Sequence, residues 1–276
     1  MRKLFVLLGD PVAHSRSPAI HSRAFSLLGV DAAYAPCRVR SQDLEQAVDG
    51  LRALGADGFN VTVPHKTGVA QLVDRLHGAA ARIGAVSCVA RDGEALVGHN
   101  TDAPGLLRAL AAKRVDNSGH AVVVGAGGSA RAAAFALAGE GRGLTILNRT
   151  AEAAHALAQA VETMGARAHV APLEGEEARR ALREATLVVH CTTVGLHDEA
   201  APFDVGLLSP GAAVADLVYA GASGETPLVK AARKRGLVAV DGIDVLVQQA
   251  IASLEIWLAR PGLGDLAPSL REAALA

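Results

Sequence analysis

Lys66 closes a motif that places a primary amine just after a strand carrying two polar side chains. Residues 58–66 read GFNVTVPHK, and alternation along a strand puts Asn60 and Thr62 on one face. Polar groups at the carboxyl end of a strand contact ligands in open α/β sheets. Pro64 is expected to start a helix, so Lys66 lies in its first turn, where a positive charge opposes the helix dipole. This position is unfavourable for a structural lysine and indicates one that transfers a proton.

Asp102 ends the segment GHNTD at residues 98–102, where a helix is expected to begin at Thr101. An aspartate at such a position is usually a helix cap or a first-turn acid that favours the dipole. Next to Lys66 it would instead form an ion pair able to transfer a proton. The residues by themselves leave both interpretations open.

Two further motifs contain polar residues that suit either a ligand or a structural role. Residues 14–18 read HSRSP, and hydroxyls at Ser15 and Ser17 ahead of a helix N-terminus are suited to binding a carboxylate. The alternative is N-capping by Ser17, which this motif taken alone favours. Gln249, in the segment VQQA on the last helix, is either a surface residue or a ligand contact.

A glycine-rich turn follows a dense β-branched run. Residues 120–124 read HAVVV, and the next six read GAGGSA, which fits Gly-x-Gly-x-x-Gly/Ala. The first glycine permits a tight turn, the second lets the backbone approach a pyrophosphate, and the alanine lets the helix pack close to the strand. Free N–H groups at the helix N-terminus attract phosphates. The strand–turn–helix context therefore predicts a dinucleotide site. The expected cofactor contacts here are Gly125, Ala126, Gly127, Gly128, Ser129 and Ala130.

The end of the following strand indicates which dinucleotide binds. Residues 148–150 read NRT, where an NAD site usually has Asp or Glu for the ribose 2′-hydroxyl. The Arg149 guanidinium suits a 2′-phosphate, so NADP is predicted, with Asn148 and Thr150 also in contact. The alternative is a solvated arginine at a strand end. Because Ala153 stands where a second basic residue would complete a phosphate clamp, discrimination against NAD is expected to be only partial.

Strand and helix patterns alternate almost throughout, which predicts an α/β protein with mostly parallel sheets. Gly29 is expected to end the first helix, Ser41 to cap the second, and Asp92-Gly93 to join a hairpin. The predicted strands are residues 4–8, 33–39, 58–63, 85–90, 95–99, 120–124, 143–147, 168–171, 186–191, 212–217 and 237–241. The other predicted helices include one running from Thr101 toward Ala112 and one at residues 244–258.

The order of these elements predicts two domains with a cleft between them. A polar, non-periodic segment at residues 113–119 ends the first series, and the helix at 244–258 is expected to pack back on it. We therefore expect a substrate domain at residues 1–104 plus 244–276. A Rossmann-type NADP-binding domain is expected at residues 105–243.

Composition excludes several classes of protein. The net charge of −1 is spread along the 276 residues, which gives no footprint for nucleic acid or an anionic membrane. No apolar run reaches membrane-spanning length, and the N-terminal run is too short for a signal peptide. Cys37, Cys88 and Cys191 are widely spaced, so neither disulfides nor a metal site is expected, and the cytoplasm is the expected location. The sequence leaves monomer and homodimer open.

Taken together, these motifs resemble the shikimate dehydrogenase family over nearly the whole chain. The ordered set is Gly9-x-Pro11-x-x-His14-Ser15-x-Ser17-Pro18-x-x-His21, Asn60-Val61-Thr62-Val63-Pro64-x-Lys66, Ile83-Gly84-Ala85-Val86, Asn100-Thr101-Asp102, the glycine turn, Asn148-Arg149-Thr150, Asp216-Leu217-Val218-Tyr219, Thr226-Pro227-Leu228 and Gln249. The resemblance implies reduction of 3-dehydroshikimate to shikimate with NADPH, a step of aromatic amino-acid biosynthesis. It implies Lys66 and Asp102 as the catalytic pair, with Lys66 donating the proton.

The resemblance also implies the remaining binding residues. Ser15 and Ser17 would hold the substrate carboxylate, and Asp102 would contact a ring hydroxyl besides its catalytic role. The other expected substrate contacts are Asn60, Thr62, Ser87, Tyr219 and Gln249. Thr192 and Gly242 are expected to contact the cofactor.

The sequence departs from the family pattern at three places. Ser87 stands where the family usually has a substrate-binding Asn, and His190-Cys191-Thr192 replaces the usual Asn-Ala-Thr. The third place is the missing basic residue at Ala153. These differences keep open a quinate or quinate/shikimate dehydrogenase with relaxed or NAD preference, although serine at both Ser15 and Ser17 favours shikimate. A non-catalytic dinucleotide sensor is a further alternative, against which the retained pair of Lys66 and Asp102 argues.

Overall fold

The chain folds into two compact units in the computed structural model, which describes residues 2–116, 118–196, 198–221 and 223–276. The first unit comprises Met1–Gly105 and Val247–Ala276, and the second comprises Leu106–Leu246. Two helices, α5 (Asp102–Ala112) and α10 (Gly242–Trp257), cross the boundaries between the units.

The first unit alternates strands and helices and then ends in helices. Its elements are β1 (Lys3–Gly9), α1 (Ser17–Leu28), β2 (Ala32–Arg38), a 3-10 turn (Ser41–Asp43), α2 (Leu44–Ala53), β3 (Gly58–Val61), α3 (Lys66–Val69), β4 (Arg75–Leu76), α4 (Ala79–Ile83), β5 (Cys88–Asp92), β6 (Ala95–His99), the first residues of α5, most of α10, a second 3-10 turn (Leu263–Leu266) and α11 (Ala267–Leu275).

Its sheet has the strand order β2-β1-β3-β5-β6-β4. β1 pairs in parallel with β2 and β3, and β6 pairs in parallel with β4. The predicted hairpin is present, because β5 pairs antiparallel with β6 around Gly93, which has a φ of 61°. Since β1 and β3 are parallel neighbours, their carboxyl ends meet at one edge, where Thr62 N–H bonds the Leu8 carbonyl at 2.8 Å.

The second unit is a doubly wound sheet. Its elements are β7 (His120–Val124), α6 (Gly128–Gly139), β8 (Gly143–Asn148), α7 (Ala151–Glu162), β9 (Ala168–Pro172), α8 (Glu176–Glu184), β10 (Leu187–His190), a 3-10 turn (Val205–Leu207), β11 (Ala213–Asp216), α9 (Pro227–Lys234) and β12 (Val238–Val240), with parts of α5 and α10. The strand order is β12-β11-β10-β7-β8-β9, and neighbouring strands pair in parallel. The order reverses between β10 and β7, which is where such sheets bind ligands. The predicted α/β class with mostly parallel sheets is confirmed.

Two local predictions were wrong, in each case because a tighter turn precedes the helix. Ser41 does not cap α2. A 3-10 turn, closed by a bond from Asp43 N–H to the Arg40 carbonyl at 2.9 Å, comes first. Pro64 does not start α3 either, since a bond from His65 N–H to the Thr62 carbonyl closes a turn and the helix begins at Lys66. Helix α11 was not predicted; it packs against α1 and buries Leu270 and Ala274.

None of the helices within the described residues is long and apolar enough to cross a membrane.

Gly105 lets α5 and α10 approach closely. A Cβ at Gly105 would lie 2.8 Å from the backbone nitrogen of Gln249 and 2.9 Å from its Cα, so a backbone would have to move. Gly105→Ala is expected to lower the free energy of unfolding by about 1–3 kcal/mol, as overpacking usually does. Urea denaturation measures the change.

Gly50 in α2 provides the matched control for that substitution. A Cβ at Gly50 meets no atom within 4 Å, so Gly50→Ala is expected to stabilise the protein by about 0.5–1 kcal/mol through helix propensity. Equal effects of the two substitutions would contradict the close approach at Gly105.

Candidate active site

Lys66 and Asp102 form a shielded ion pair in the first unit. Lys66 Nζ lies 2.5 Å from Asp102 Oδ2, and the two side chains are 11% and 12% exposed. Lys66 is the first residue of α3, and Asp102 is the first residue of α5, where a negative charge suits the helix dipole. Asp102 therefore agrees with both interpretations, since it is a first-turn acid of α5 and also forms the ion pair with Lys66. A shielded ammonium held by a carboxylate is suited to giving a proton to an oxygen that gains charge.

Asn100 fixes the start of α5 and hence the position of Asp102. Its Oδ1 accepts from the backbone N–H of Ala103 at 3.1 Å, and its Nδ2 donates to the Ala85 carbonyl at 3.0 Å. Lys66 is held nearby through its backbone, since its carbonyl accepts from Val86 N–H at 2.8 Å. Hydrogen bonds to the backbone thus fix the positions of both Lys66 and Asp102.

Gln249 is oriented by Thr101. Thr101 Oγ1 donates to Gln249 Oε1 at 3.4 Å, and Ser253 Oγ donates to the Gln249 carbonyl at 3.0 Å. With its side-chain oxygen facing Thr101, half-buried Gln249 presents its amide N–H group as the part that suits a hydroxyl oxygen of a ligand. This places Gln249 in the same unit as the ion pair.

Asn60 is buried and bonded to protein at both ends of its side chain. Its Nδ2 donates to the Ser87 carbonyl at 3.1 Å and to Ser253 Oγ at 2.9 Å. Its Oδ1 accepts from the Tyr34 hydroxyl at 2.9 Å. Asn60 therefore ties β2, β3 and α10 together, and its contact with a substrate stays a prediction. Thr62 is half-buried just beyond β3.

The serines at the start of α1 do not cap it in the way the alternative interpretation required. Ser17 is the first helical residue, and the cap position is Arg16, which makes no side-chain cap bond. Ser15 Oγ instead accepts from Ser17 N–H at 3.2 Å. This helix N-terminus has two adjacent hydroxyls and remains suited to a carboxylate.

His21, from the same motif, is a core residue. Its ring is fully buried and stacks on Tyr34 with centroids 4.4 Å apart. Burial lowers the pKa of His21 from 6.5 to about 3, against a smaller opposing effect of the Asn60 side chain. It is therefore neutral at physiological pH.

Protonation of His21 in the unfolded chain should make stability depend on pH. Between pH 6.5 and about 3 the unfolded chain binds a proton that the native state does not, so stability falls as the pH decreases. The loss attributable to this residue approaches about 1.4 kcal/mol per pH unit. His21→Phe, measured by urea denaturation from pH 7 to 4, should reduce that slope. His155→Gln, at an exposed position on α7, should not, and equal slopes in all three proteins would contradict the assignment.

The glycine turn of the second unit fits a dinucleotide phosphate. Gly125 has a φ of 117°, a conformation that favours glycine, and a Cβ there would press on Cys191 O and Thr192 Cγ2 at 3.3 and 3.2 Å. Gly127 is the N-cap of α6, makes no side-chain cap bond, and has open space around its Cα. Ala130 is fully buried, as close packing of α6 requires. The first turn of α6 therefore offers backbone donors and room for a pyrophosphate.

The end of β8 carries the residues predicted to contact the ribose phosphate. Arg149 is exposed just beyond the strand, and Asn148 Nδ2 donates to the Thr150 carbonyl at 2.9 Å. Thr150 is the N-cap of α7 and makes no side-chain cap bond. Ala153 is exposed in the first turn of α7, and the one charged residue of that turn is the acidic Glu152, so the turn adds no second basic residue near Arg149.

Comparison with known proteins identifies the family. Residues 7–89 match the shikimate dehydrogenase substrate binding domain, and residues 109–196 match the shikimate / quinate 5-dehydrogenase family. Shikimate dehydrogenase (NADP(+)) of Symbiobacterium thermophilum is 44% identical over 282 residues, covering 99% of this chain and 94% of the relative. The chain belongs to the shikimate dehydrogenase family. The resemblance inferred from the motifs is confirmed.

Solved structures agree with this assignment. A crystal structure of shikimate 5-dehydrogenase from Thermus thermophilus in complex with NADP(H) and shikimate matches with a TM-score of 0.86 and 36% identity, covering 99% of this chain and 98% of that one. Quinate dehydrogenase from Corynebacterium glutamicum in complex with NAD matches with a TM-score of 0.87 and 30% identity, covering 99% of both chains.

Ser87, where the shikimate dehydrogenase family usually has Asn, has a supporting role in this structure. It is 2% exposed, its Oγ accepts from Thr101 N–H at 2.8 Å, and it also bonds Thr101 Oγ1 at 3.0 Å. Its direct contact with a substrate stays a prediction. Because Thr101 in turn bonds Gln249, Ser87 supports Gln249 indirectly. Serine in place of the family's longer asparagine therefore provides a hydroxyl that holds Gln249, another predicted substrate contact, in position.

His190, also a departure from the family pattern, lies in a buried polar chain. Its Nδ1 is 2.9 Å from Asp216 Oδ1, and its Nε2 is 2.5 Å from Thr192 Oγ1. The sequence leaves the role of His190 open. The Thr226 hydroxyl donates to Asp216 Oδ2 at 2.5 Å, and neither Asp216 nor Thr226 is among the predicted site residues. Asp216 ends the apolar strand β11 and Thr226 caps α9, and the signal in the sequence is that both belong to motifs shared with the family.

Two further predicted contacts lie in the second unit. Gly242 begins α10, and a Cβ there would come within 2.3 Å of the Val218 carbonyl oxygen, so packing by itself requires glycine. Tyr219 is half-buried just beyond β11. Cofactor contact by Gly242 and substrate contact by Tyr219 stay predictions. Among the described residues, no group of three or more His, Cys, Asp or Glu side chains is placed to hold a metal ion.

Proposed function

We propose that this protein catalyses the reversible NADPH-dependent reduction of 3-dehydroshikimate to shikimate, in the biosynthesis of aromatic amino acids. The observation that carries the proposal is the shielded pair of Lys66 and Asp102, 2.5 Å apart, in a chain of the shikimate dehydrogenase family. A dinucleotide sensor without activity has no need of such a pair.

The residues of the pair divide the proton chemistry between them. NADPH, when bound, supplies the hydride that the ketone carbon accepts. Lys66 Nζ then stabilises the negative charge that develops on the carbonyl oxygen and donates a proton to it. Asp102 Oδ2 holds the ammonium in place and accepts from the substrate hydroxyl. In the oxidation direction, the Lys66 amine takes the proton from the hydroxyl.

The remaining polar residues orient the two ligands. Ser15 and Ser17, at the start of α1, bind the substrate carboxylate. Ring hydroxyls are bound by Asn60, Thr62, Ser87, Tyr219 and Gln249. The cofactor is bound by Gly125, Ala126, Gly127, Gly128, Ser129 and Ala130 at the pyrophosphate, by Asn148, Arg149 and Thr150 at the ribose phosphate, and by Thr192 and Gly242. The first unit serves as the substrate domain and the second as the NADP-binding domain.

The test is an assay of the purified protein with shikimate and NADP⁺, followed by the absorbance of NADPH. Folded protein without turnover of either shikimate or quinate would refute the proposal. The three cysteines are free thiols, which supports a reducing cytoplasm as the location.

A quinate/shikimate dehydrogenase with relaxed cofactor preference is the second candidate. It is favoured by Ser87 and Ala153 and by the likeness to a quinate dehydrogenase solved with NAD. Values of kcat/KM for two substrates and two cofactors separate the candidates. We expect the highest value for shikimate with NADP⁺, and a higher value for quinate with NAD⁺ would favour the alternative.

A further inference from the structure

Asp216, His190 and Thr192 form a hydrogen-bonded chain that ends at the nucleotide turn. His190 and Asp216 have no exposed surface, whereas Thr192 is half-buried. The chain runs from Asp216 Oδ1 to His190 Nδ1 over 2.9 Å, and from His190 Nε2 to Thr192 Oγ1 over 2.5 Å. A buried histidine joined to two partners has its donor and acceptor ends fixed by them.

Asp216 determines the direction of the chain. Its Oδ1 also accepts from Val218 N–H at 3.0 Å, and its Oδ2 accepts from the Thr226 hydroxyl at 2.5 Å. An ionised carboxylate only accepts, so His190 Nδ1 carries the proton. In the tautomer assigned from this contact the lone pair lies at Nε2, where it accepts from the Thr192 hydroxyl. Thr192 Oγ1 is therefore left with lone pairs, one of which accepts from Val194 N–H at 3.3 Å.

The position of Thr192 indicates which part of the cofactor it faces. It follows β10, beside the carboxyl end of β7, where Cys191 N–H bonds the Val124 carbonyl at 2.8 Å. Its methyl group borders Gly125. Dinucleotides lie across such a sheet with one nucleotide over each half. Arg149, after β8, marks the half for the adenine nucleotide, so the nicotinamide nucleotide belongs to the half that begins at β10.

We propose that Thr192 Oγ1 accepts a hydrogen bond from the carboxamide N–H of the nicotinamide, and that His190 is the positioning residue that makes Thr192 an acceptor. The proposal rests on the proposed function only for the identity of the cofactor. Because the Thr192 hydroxyl proton is donated to His190, Thr192 Oγ1 can accept from a donor on the ligand but cannot donate to an acceptor there.

The test compares equilibrium binding of NADP⁺ with that of its 3-acetylpyridine analogue, whose methyl ketone has no N–H donor. Isothermal titration calorimetry without substrate gives both dissociation constants. We expect wild-type protein to prefer NADP⁺ about tenfold, the size of one hydrogen bond between partners that would otherwise be unmatched. Thr192→Val is expected to reduce that preference to less than about twofold. An unchanged preference, or an equal loss of affinity for both ligands, would overturn the proposal.

Substitutions of His190 separate positioning from packing. His190→Phe keeps the ring but removes both hydrogen bonds, and it should lose the preference as Thr192→Val does. His190→Asn retains a donor for Asp216 and an acceptor for the Thr192 hydroxyl, and it should keep the preference. Loss of the preference in His190→Asn but not in His190→Phe would overturn the assigned polarity. Circular dichroism establishes that each variant is folded.

A second His–Thr pair in the same unit provides the matched control. His120 Nε2 lies 2.8 Å from Thr145 Oγ1, and His120 is the first residue of β7, at the opposite end of the strand from the glycine turn. Thr145→Val removes a hydroxyl bonded to a histidine without touching the nucleotide site. It should leave the tenfold preference unchanged, and a change equal to that of Thr192→Val would overturn the proposal.

The tautomer of His190 can be observed directly. Imidazole ¹⁵N chemical shifts of the wild-type protein should show a neutral ring protonated at Nδ1. A ring protonated at Nε2, or at both nitrogens, would overturn the proposal regardless of any variant. Because binding is measured without substrate, NADP⁺ binding with the expected preference but no turnover refutes the proposed function alone. An active enzyme without the preference refutes this inference alone.

Discussion

Replacing Lys66 by alanine is expected to lower kcat for shikimate oxidation by about 10²- to 10⁴-fold with little change in KM. The ammonium lies 2.5 Å from Asp102, and its charge matters most when negative charge develops on the substrate oxygen. Initial rates at varied shikimate concentration measure both constants. A large rise in KM at unchanged kcat would make Lys66 a binding residue instead.

Lys3 provides the control for this substitution. It also pairs with an aspartate, Asp57, at 3.0 Å in the first unit, but its side chain is 44% exposed. Lys3→Ala is therefore expected to leave kcat unchanged and to alter stability by no more than about 1 kcal/mol. Removal of Lys66 leaves the shielded Asp102 without its partner, so circular dichroism must show that the variant is folded before its kcat is interpreted.

Replacing Arg149 by alanine is expected to raise KM for NADP⁺ about 10- to 100-fold, because a charge-assisted contact with the 2′-phosphate is lost. KM for NAD⁺, which lacks that phosphate, should change less than about twofold. Since Ala153 supplies no second basic residue on α7, we expect Arg149 to carry most of the discrimination between the two cofactors. The four constants follow from initial rates with each cofactor.

Arg183 in the last turn of α8 is the matched control. It is 49% exposed and pairs with Glu176 at 2.9 Å, far along the helix from the carboxyl ends of the strands. Arg183→Ala should leave both KM values unchanged. If Arg149→Ala raised KM equally for NADP⁺ and NAD⁺, the arginine would contact a part common to both cofactors, such as the adenine, and the assigned role would be wrong.

The periodic and motif-bearing parts of the chain could be predicted from sequence. The β-branched run before Gly125 predicts β7, and the Asp-Gly pair predicts the β5–β6 hairpin, because these signals act within a few residues. The starts of α2 and α3 could not be predicted, since a 3-10 turn or a short turn competes with the helix at each of them. Helix α11 was not predicted, because its stability depends on packing against α1.

The sequence by itself determined the family and the glycine turn for a dinucleotide, and it predicted Lys66 and Asp102 as the catalytic pair, because residue type and spacing carry that chemistry. Only the tertiary structure decided the 2.5 Å distance between those two side chains, 36 residues apart. It also decided that Ser87 braces Thr101, and that His190 is held between Asp216 and Thr192. The direction and strength of a hydrogen bond depend on which groups meet in space, and strands distant in sequence bring these groups together.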